Sequence, residues 1–157
     1  MPTPDIVETG PLIDHILSRY HDHHRDTLPD LAALALKVER VHGDDPAVPA
    51  GLGALIEDII AALDLHMHKE ELMLFPVMRA GPSPVLAMRM AVMQADHEQL
   101  DAQVAQILAL THNLALPAQA CASWTALYQG LREFVADLAE HMRLEEDVLF
   151  PRFAPAV

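Results

Sequence analysis

Two segments of this chain carry nearly the same polar pattern, HMHKEELMLFPVM from His66 and HMRLEEDVLFPRF from His141. Each sets a histidine four residues ahead of a glutamate, His66 with Glu70 and His141 with Glu145. A second acid, a Leu-Phe pair and a proline follow in both. Helix positions i and i+4 lie one turn apart on the same face, so each segment offers an imidazole and a carboxylate to one point in space. Apolar packing has no use for such a pair. Two copies in one small chain predict a two-metal site built from duplicated helical halves.

The phase of the apolar residues places these groups indoors. In the second of four expected helices, Leu52, Ile56, Ile59, Leu63, His66, Glu70 and Met73 follow alternating steps of four and three. In the fourth, Leu127, Leu131, Phe134, Leu138, His141, Glu145 and Val148 do the same. These are coiled-coil-like seams in which a His/Glu pair replaces two apolar knobs. The third helix gives Leu86, Met90, Met93, His97, Leu100, Val104 and Ile107, with one histidine in its seam. Burying such groups without a partner would cost several kcal/mol. His21 precedes His66 by nearly the interval that separates His97 from His141. Each half thus reads as a helix with one histidine, then a helix with a His-x-x-x-Glu pair.

Proline- and glycine-bearing breaks divide the chain. The first helix is expected from about Pro11 to His42, bent or restarted at Pro29. Gly43 to Gly51 is a connection, and the second helix runs from Leu52 to Leu74 with a stop near Pro76. Ala80 to Pro84 forms a turn, the third helix follows to about Asn113, and the fourth runs from Pro117 to Leu149 with a stop at Pro151. No stretch alternates with period two, so no strand is expected. Short connections make neighbouring helices antiparallel. The reading is all-α, an up-down-up-down four-helix bundle spanning 11–153 between short tails, 1–10 and 154–157, with the metals on its axis about mid-height.

Composition agrees. A chain of 157 residues fits one domain with a substantial core. Apolar residues make up 52% and aromatics only 4%, so Ala, Leu and Met must carry the packing. Met67, Met73, Met78, Met88, Met90 and Met93 are expected as core fillers rather than copper ligands. A formal net charge of −13 argues against nucleic acid or an anionic membrane as partner. Cys121, the single cysteine, excludes an internal disulfide and is expected as a small buried hydrophobe. The N-terminal MPTPDIVETGP has acids where a signal peptide needs basic residues, and no apolar run is long enough to span a bilayer. These features together point to the cytoplasm.

Imidazole suits iron, zinc and copper, carboxylate oxygen suits harder ions, and the donor set lacks thiolate. Two bridging glutamates, four histidines and one oxo or hydroxo bridge would fill about ten of the roughly twelve positions around two octahedral metals. About one open position per metal remains for a small ligand. Other motifs fit poorly: HEQLD at His97 lacks the second histidine of a metalloprotease helix, and ferritin-like sites use Glu-x-x-His.

These residues resemble the hemerythrin-like di-iron proteins, and among them the repair-of-iron-centres group, which protects or restores iron–sulfur clusters under nitrosative and oxidative stress. The resemblance rests on LIDHILSRYHDHHR from Leu12, KVERVH from Lys37, the two duplicated blocks and DHEQL from Asp96. It implies the ligands His21, His66, Glu70, His97, His141 and Glu145, with both glutamates bridging two iron ions. It also implies reaction with nitric oxide, or iron supply for repair of iron–sulfur proteins; the alternative is reversible binding, sensing or storage of oxygen, nitric oxide or iron without turnover. His24, one turn beyond His21, faces similarly and matches the same family segment; it is the alternative ligand to His21 and is otherwise expected to support or gate the site. His15, His23, His42, His68 and His112 are expected at the surface or behind the ligands. Two departures stand out. The group usually carries a cysteine-containing N-terminal domain, whereas this chain starts at the bundle. Oxygen-carrying hemerythrins place a histidine where Asp101 stands here, which leaves Asp101 as a candidate supporting acid or occasional ligand.

Overall fold

A computed structural model describes residues 7–155; residues 1–6 and 156–157 of the expected tails lie outside it. Four long helices form an all-α bundle, with no strand among the described residues. Helix α1 comprises Thr9–Ile16, a π-helical turn Leu17–His21, and Asp22–Val41. Helix α2 comprises Leu52–Lys69, a π-helical turn Glu70–Leu74, and Phe75–Ala80. Helix α3 is Leu86–Leu110. Helix α4 comprises Ala122–Arg143, a π-helical stretch Leu144–Leu149 and a closing 3-10 turn Phe150–Phe153. The late part of α1 packs on the early part of α2, and its first turns pack on the last turns of α2 and α4. That pattern makes neighbours antiparallel, as short connections require.

The connections explain the ends. Glu39 reaches from α1 to accept the Gly51 and Gly53 N–H groups (2.5 and 3.0 Å), capping α2 from another helix. Gly51 has φ +89, a left-handed conformation that glycine adopts without strain. Helix α3 ends at Leu110, short of Asn113, because His112, Asn113 and Leu114 all have positive φ. Buried Thr111 holds that turn: its Oγ1 donates to the Ile107 carbonyl (2.8 Å) and accepts the Leu114 N–H (3.1 Å).

Three sequence expectations need correction. Pro29 does not restart α1, which runs through it from Asp22 to Val41. Pro76 and Pro151 are not stops either; a helical turn follows each. The seams also shift phase: Met73 is exposed and Val148 only half-buried, while Leu74 and Leu149 are buried in their place. The cause is the wide turn before each proline. A helix proline has no N–H for the carbonyl four residues back and crowds it. The chain relaxes into a π turn, which adds one residue and rotates all later side chains. Met88 is likewise exposed, so of the six methionines expected as core fillers Met67, Met78, Met90 and Met93 fill that role, and Met142 joins them. Val104 is half-buried, at the margin of its seam.

Two apolar clusters make up the core. The larger contains Leu63, Met67, Leu100, Trp124, Leu131 and Leu138, and the smaller contains Leu12, Ile16, Phe75, Met93, Leu144 and Phe150. Between them lies a buried polar layer of His21, His66, Glu70, His97, His141 and Glu145. No helix among the described residues is long and apolar enough to cross a membrane.

The phase shift is directly testable. Leu74→Ala removes a buried side chain and is expected to cost about 2–5 kcal/mol. Met73→Ala, at an exposed position, should stay within about 0.5 kcal/mol of the parent. Chemical denaturation of both variants decides it; equal losses would contradict the wide turn.

Candidate metal centre

The polar layer is assembled from all four helices, and three of its six members lie in the π-helical segments: His21, Glu70 and Glu145. A wide turn re-aims a side chain that a regular α-helix would point elsewhere. The layer contains two four-residue groups, His21/Glu70/His141/Glu145 and His66/Glu70/His97/Glu145. In each, one ligand atom per residue falls within 4.8 Å of the others. Both groups contain both glutamates.

Contacts inside the layer are close. Glu70 Oε1 lies 3.3 Å from His21 Nε2 and 3.1 Å from His66 Nε2, yet neither approach has hydrogen-bond geometry. His97 Nε2 lies 2.9 Å from Glu145 Oε1, and His141 Nε2 lies 3.1 Å from Glu145 Oε2. His21 Nε2 and both Glu70 oxygens have no hydrogen-bond partner although fully buried. Each such group costs about 1–3 kcal/mol if left alone. A divalent cation on each side of the glutamate pair would satisfy all of them, and carboxylate and imidazole donors suit such a cation. The residues fit a metal.

A further set of residues, unassigned from the sequence, stands behind the imidazoles. Glu71 accepts from His21 Nδ1 (2.7 Å), Asp96 from His66 Nδ1 (3.1 Å) and Glu146 from His97 Nδ1 (2.8 Å). Such carboxylates fix the tautomer with Nε2 facing the metal position. Arg25 holds Glu71 in turn, and Lys69 holds Asp96 at 2.6 Å. The signal was legible: Glu71 and Glu146 are the second acids of the two repeats, and Asp96 directly precedes His97. Phe75 and Phe150, also shared by the repeats, stack on His21 and His97 with ring centroids 5.8 and 6.3 Å apart.

Other expectations fall elsewhere. Asp101, the candidate supporting acid or occasional ligand, is exposed and belongs to neither group. His23 and His68 are exposed, as is His112, and His15 is half-buried. His24 is buried behind His141, Nε2 to Nδ1 at 3.2 Å. His42 contacts Cys121 Sγ (3.1 Å) and the Trp124 ring. Cys121 is only half-buried at the start of α4, not the enclosed hydrophobe expected.

The family described as the hemerythrin HHE cation binding domain matches residues 12–153. The chain belongs to that family. This hemerythrin-family chain is 47% identical over 141 residues to the iron–sulfur cluster repair protein YtfE of Yersinia pseudotuberculosis serotype O:1b. It is 45% identical over 141 residues to the probable iron–sulfur cluster repair protein of Haemophilus influenzae. Both alignments cover 90% of this chain but only 64% and 63% of the relatives, so the chain spans just under two thirds of their length.

Electrostatics poise the layer for cation exchange. Burial and the facing Glu145 push the Glu70 carboxyl well above the usual range. Burial pushes Glu145 up as well, but His141, Glu70 and His66 outweigh it and hold it well below. Two carboxylates this close cannot both ionise without a cation. Burial, then His141, pushes His21 down to about 4, which leaves it neutral. Burial also pulls His66 downward, but Glu70 and Glu145 overcome it and raise it to about 11.

The sign of the pH dependence follows. His66 is raised above its unfolded value of about 6.5, so its pairing stabilises the metal-free fold fully below that value. The contribution is lost as pH rises through about 11. A metal requires neutral His66, so loading at pH 7 is expected to release protons, and metal affinity should rise with pH across this window. Adding metal to weakly buffered metal-free protein with a pH indicator measures this. Loading without proton release would contradict the assignment.

Proposed function

We propose that this chain binds two iron ions bridged by Glu70 and Glu145, with His21 and His141 on one and His66 and His97 on the other. We further propose that it serves nitrosative and oxidative stress defence, reacting with nitric oxide, supplying iron to damaged iron–sulfur clusters, or both. One observation carries the metal reading: both buried donor groups share both glutamates. The functional half is supported by relatives named for iron–sulfur cluster repair. Diatomic ligands, iron–sulfur proteins as partners and a cytoplasmic setting belong to the same proposal.

When bound, the metal pair would supply redox-active ions able to take a small ligand. The chain's own residues prepare the layer to hold them. Glu71, Asp96 and Glu146 keep protons on the outer nitrogens of His21, His66 and His97, leaving the inner lone pairs free. Phe75, Phe150 and Tyr20 lie against His21, His97 and His141 and exclude water from the layer. Glu70 and Glu145 belong to both donor groups, so protonation of either would weaken both.

Metal analysis of protein purified from iron-replete cells should give about two iron ions per chain on the hemerythrin-type donor count. Glu70→Ala or Glu145→Ala should lose most of that iron, whereas His15→Ala and His112→Ala should retain it. Equal metal content in all four variants, or one tightly held zinc, would refute the ligand set.

The activity has its own test. Reduced protein is mixed anaerobically with nitric oxide, and separately with an enzyme whose iron–sulfur cluster has been damaged. Nitrous oxide release or recovered enzyme activity is the expected outcome. A reversible spectral change with neither product would instead establish a binding protein.

A further inference from the structure

The duplication breaks at one point, and the break falls on a single imidazole of the layer. In one half, Asp96 directly precedes His97 and accepts from His66 Nδ1 (3.1 Å). The equivalent residue in the other half is Tyr20, directly before His21. Tyr20 cannot act as a carboxylate; it stacks on His141, with centroids 5.5 Å apart and planes 14° apart. His141 Nδ1 turns to His24 Nε2 at 3.2 Å. Three of the four imidazoles are thus backed by a carboxylate, and His141 by another imidazole.

This bears on how firmly each position grips an ion. A carboxylate behind a histidine raises its basicity as a ligand and fixes its tautomer; a neutral imidazole does so less. Its own balance is also poorer. For His141 to present a bare Nε2, its Nδ1–H must donate to His24 Nε2. The His24 proton then sits on Nδ1, a buried atom with no hydrogen-bond partner. Leaving it there opposes occupancy of this position. Glu71 is shared between His21 and Arg25, and Asp96 between His66 and Lys69, so the contact behind His141 is what sets the two sides apart.

The same residue lines two clefts. His24 lines a cleft of about 90 Å³ between α1 and α2, with Leu28, Leu63 and Met67. It also lines a second cleft of about 200 Å³ between α1 and α4, with Leu31, Phe134 and Asp137.

We propose that the two metal positions are unequal, that the one between His21 and His141 is the exchangeable iron, and that His24 is the positioning residue that sets its release. The inference rests on the two-metal reading above and gives its iron-supply arm a donor position, while the ion between His66 and His97 is retained.

The full chain, loaded anaerobically with ferrous iron, is mixed with excess ferrozine and followed by absorbance. Release is expected in two phases of one ion each, the first at least about tenfold faster, the scale on which partners behind metal-bound histidines act. His21→Ala should abolish the fast phase and His66→Ala the slow one. His24→Phe keeps a ring but removes the acceptor, and should speed the fast phase about tenfold without moving the slow one. His24→Gln offers an amide oxygen to the same donor and should restore the parent rate, which a purely structural role for His24 does not predict. Circular dichroism identifies any unfolded variant, in which case the parent chain and the glutamine variant decide. Two ions leaving in one phase, or His24→Phe altering the slow phase, overturns the inequality and leaves the two-metal reading standing. One ion at saturation overturns that reading and the inference with it.

Discussion

Two carboxylates meet inside an apolar bundle, and most of the structure follows from that. Glu70 and Glu145 are fully buried among four buried imidazoles. Like charges at this separation in a low-dielectric interior repel by several kcal/mol unless a proton or a cation lies between them. Without metal, opposite shifts of the two carboxyls and a protonated His66 resolve the conflict. A divalent cation held by these groups would resolve it better, which suits the layer to cation binding rather than to stabilising the fold. The apolar clusters above and below supply the folding free energy and hold the layer rigid.

Positioning six polar side chains at one level is a problem of helix phase. A regular α-helix carries residues past a fixed direction at a constant angle, and the four helices would not all deliver their ligands together. Three π-helical segments absorb the mismatch, each containing a member of the layer. In two of them a nearby proline already removes the hydrogen bond whose loss a wide turn requires. The Leu-Phe-Pro run does two jobs in each half: the proline accompanies the wide turn, and the phenylalanine covers an imidazole of the neighbouring helix.

Near-twofold duplication makes the departures from symmetry informative. Second acids, phenylalanines and glutamates correspond between halves, whereas Asp96 and Tyr20 do not. A charged group behind one imidazole and a stacked ring against its counterpart give two positions of different donor strength from one repeated plan. Where a duplicated site diverges, the two copies are free to do different work.

Much of this was readable in the sequence. The His-x-x-x-Glu spacing, its repetition and the apolar phase determined the four helices, the six inward residues and the pairing of halves, because these depend on local periodicity alone. Membership in the hemerythrin family follows from the same residues. Local periodicity could not reveal its own interruption, so Met73 and Val148 read as buried when one extra residue per wide turn gave those places to Leu74 and Leu149. Nor could it choose the acids behind the imidazoles. Asp101 sits one turn beyond His97 and looked suitable, but it faces solvent, while Glu71, Asp96 and Glu146 reach across from neighbouring helices. Which carboxylate meets which nitrogen depends on how four helices rotate and slide against one another. That rotation is fixed by packing between helices, and only the tertiary structure decides it.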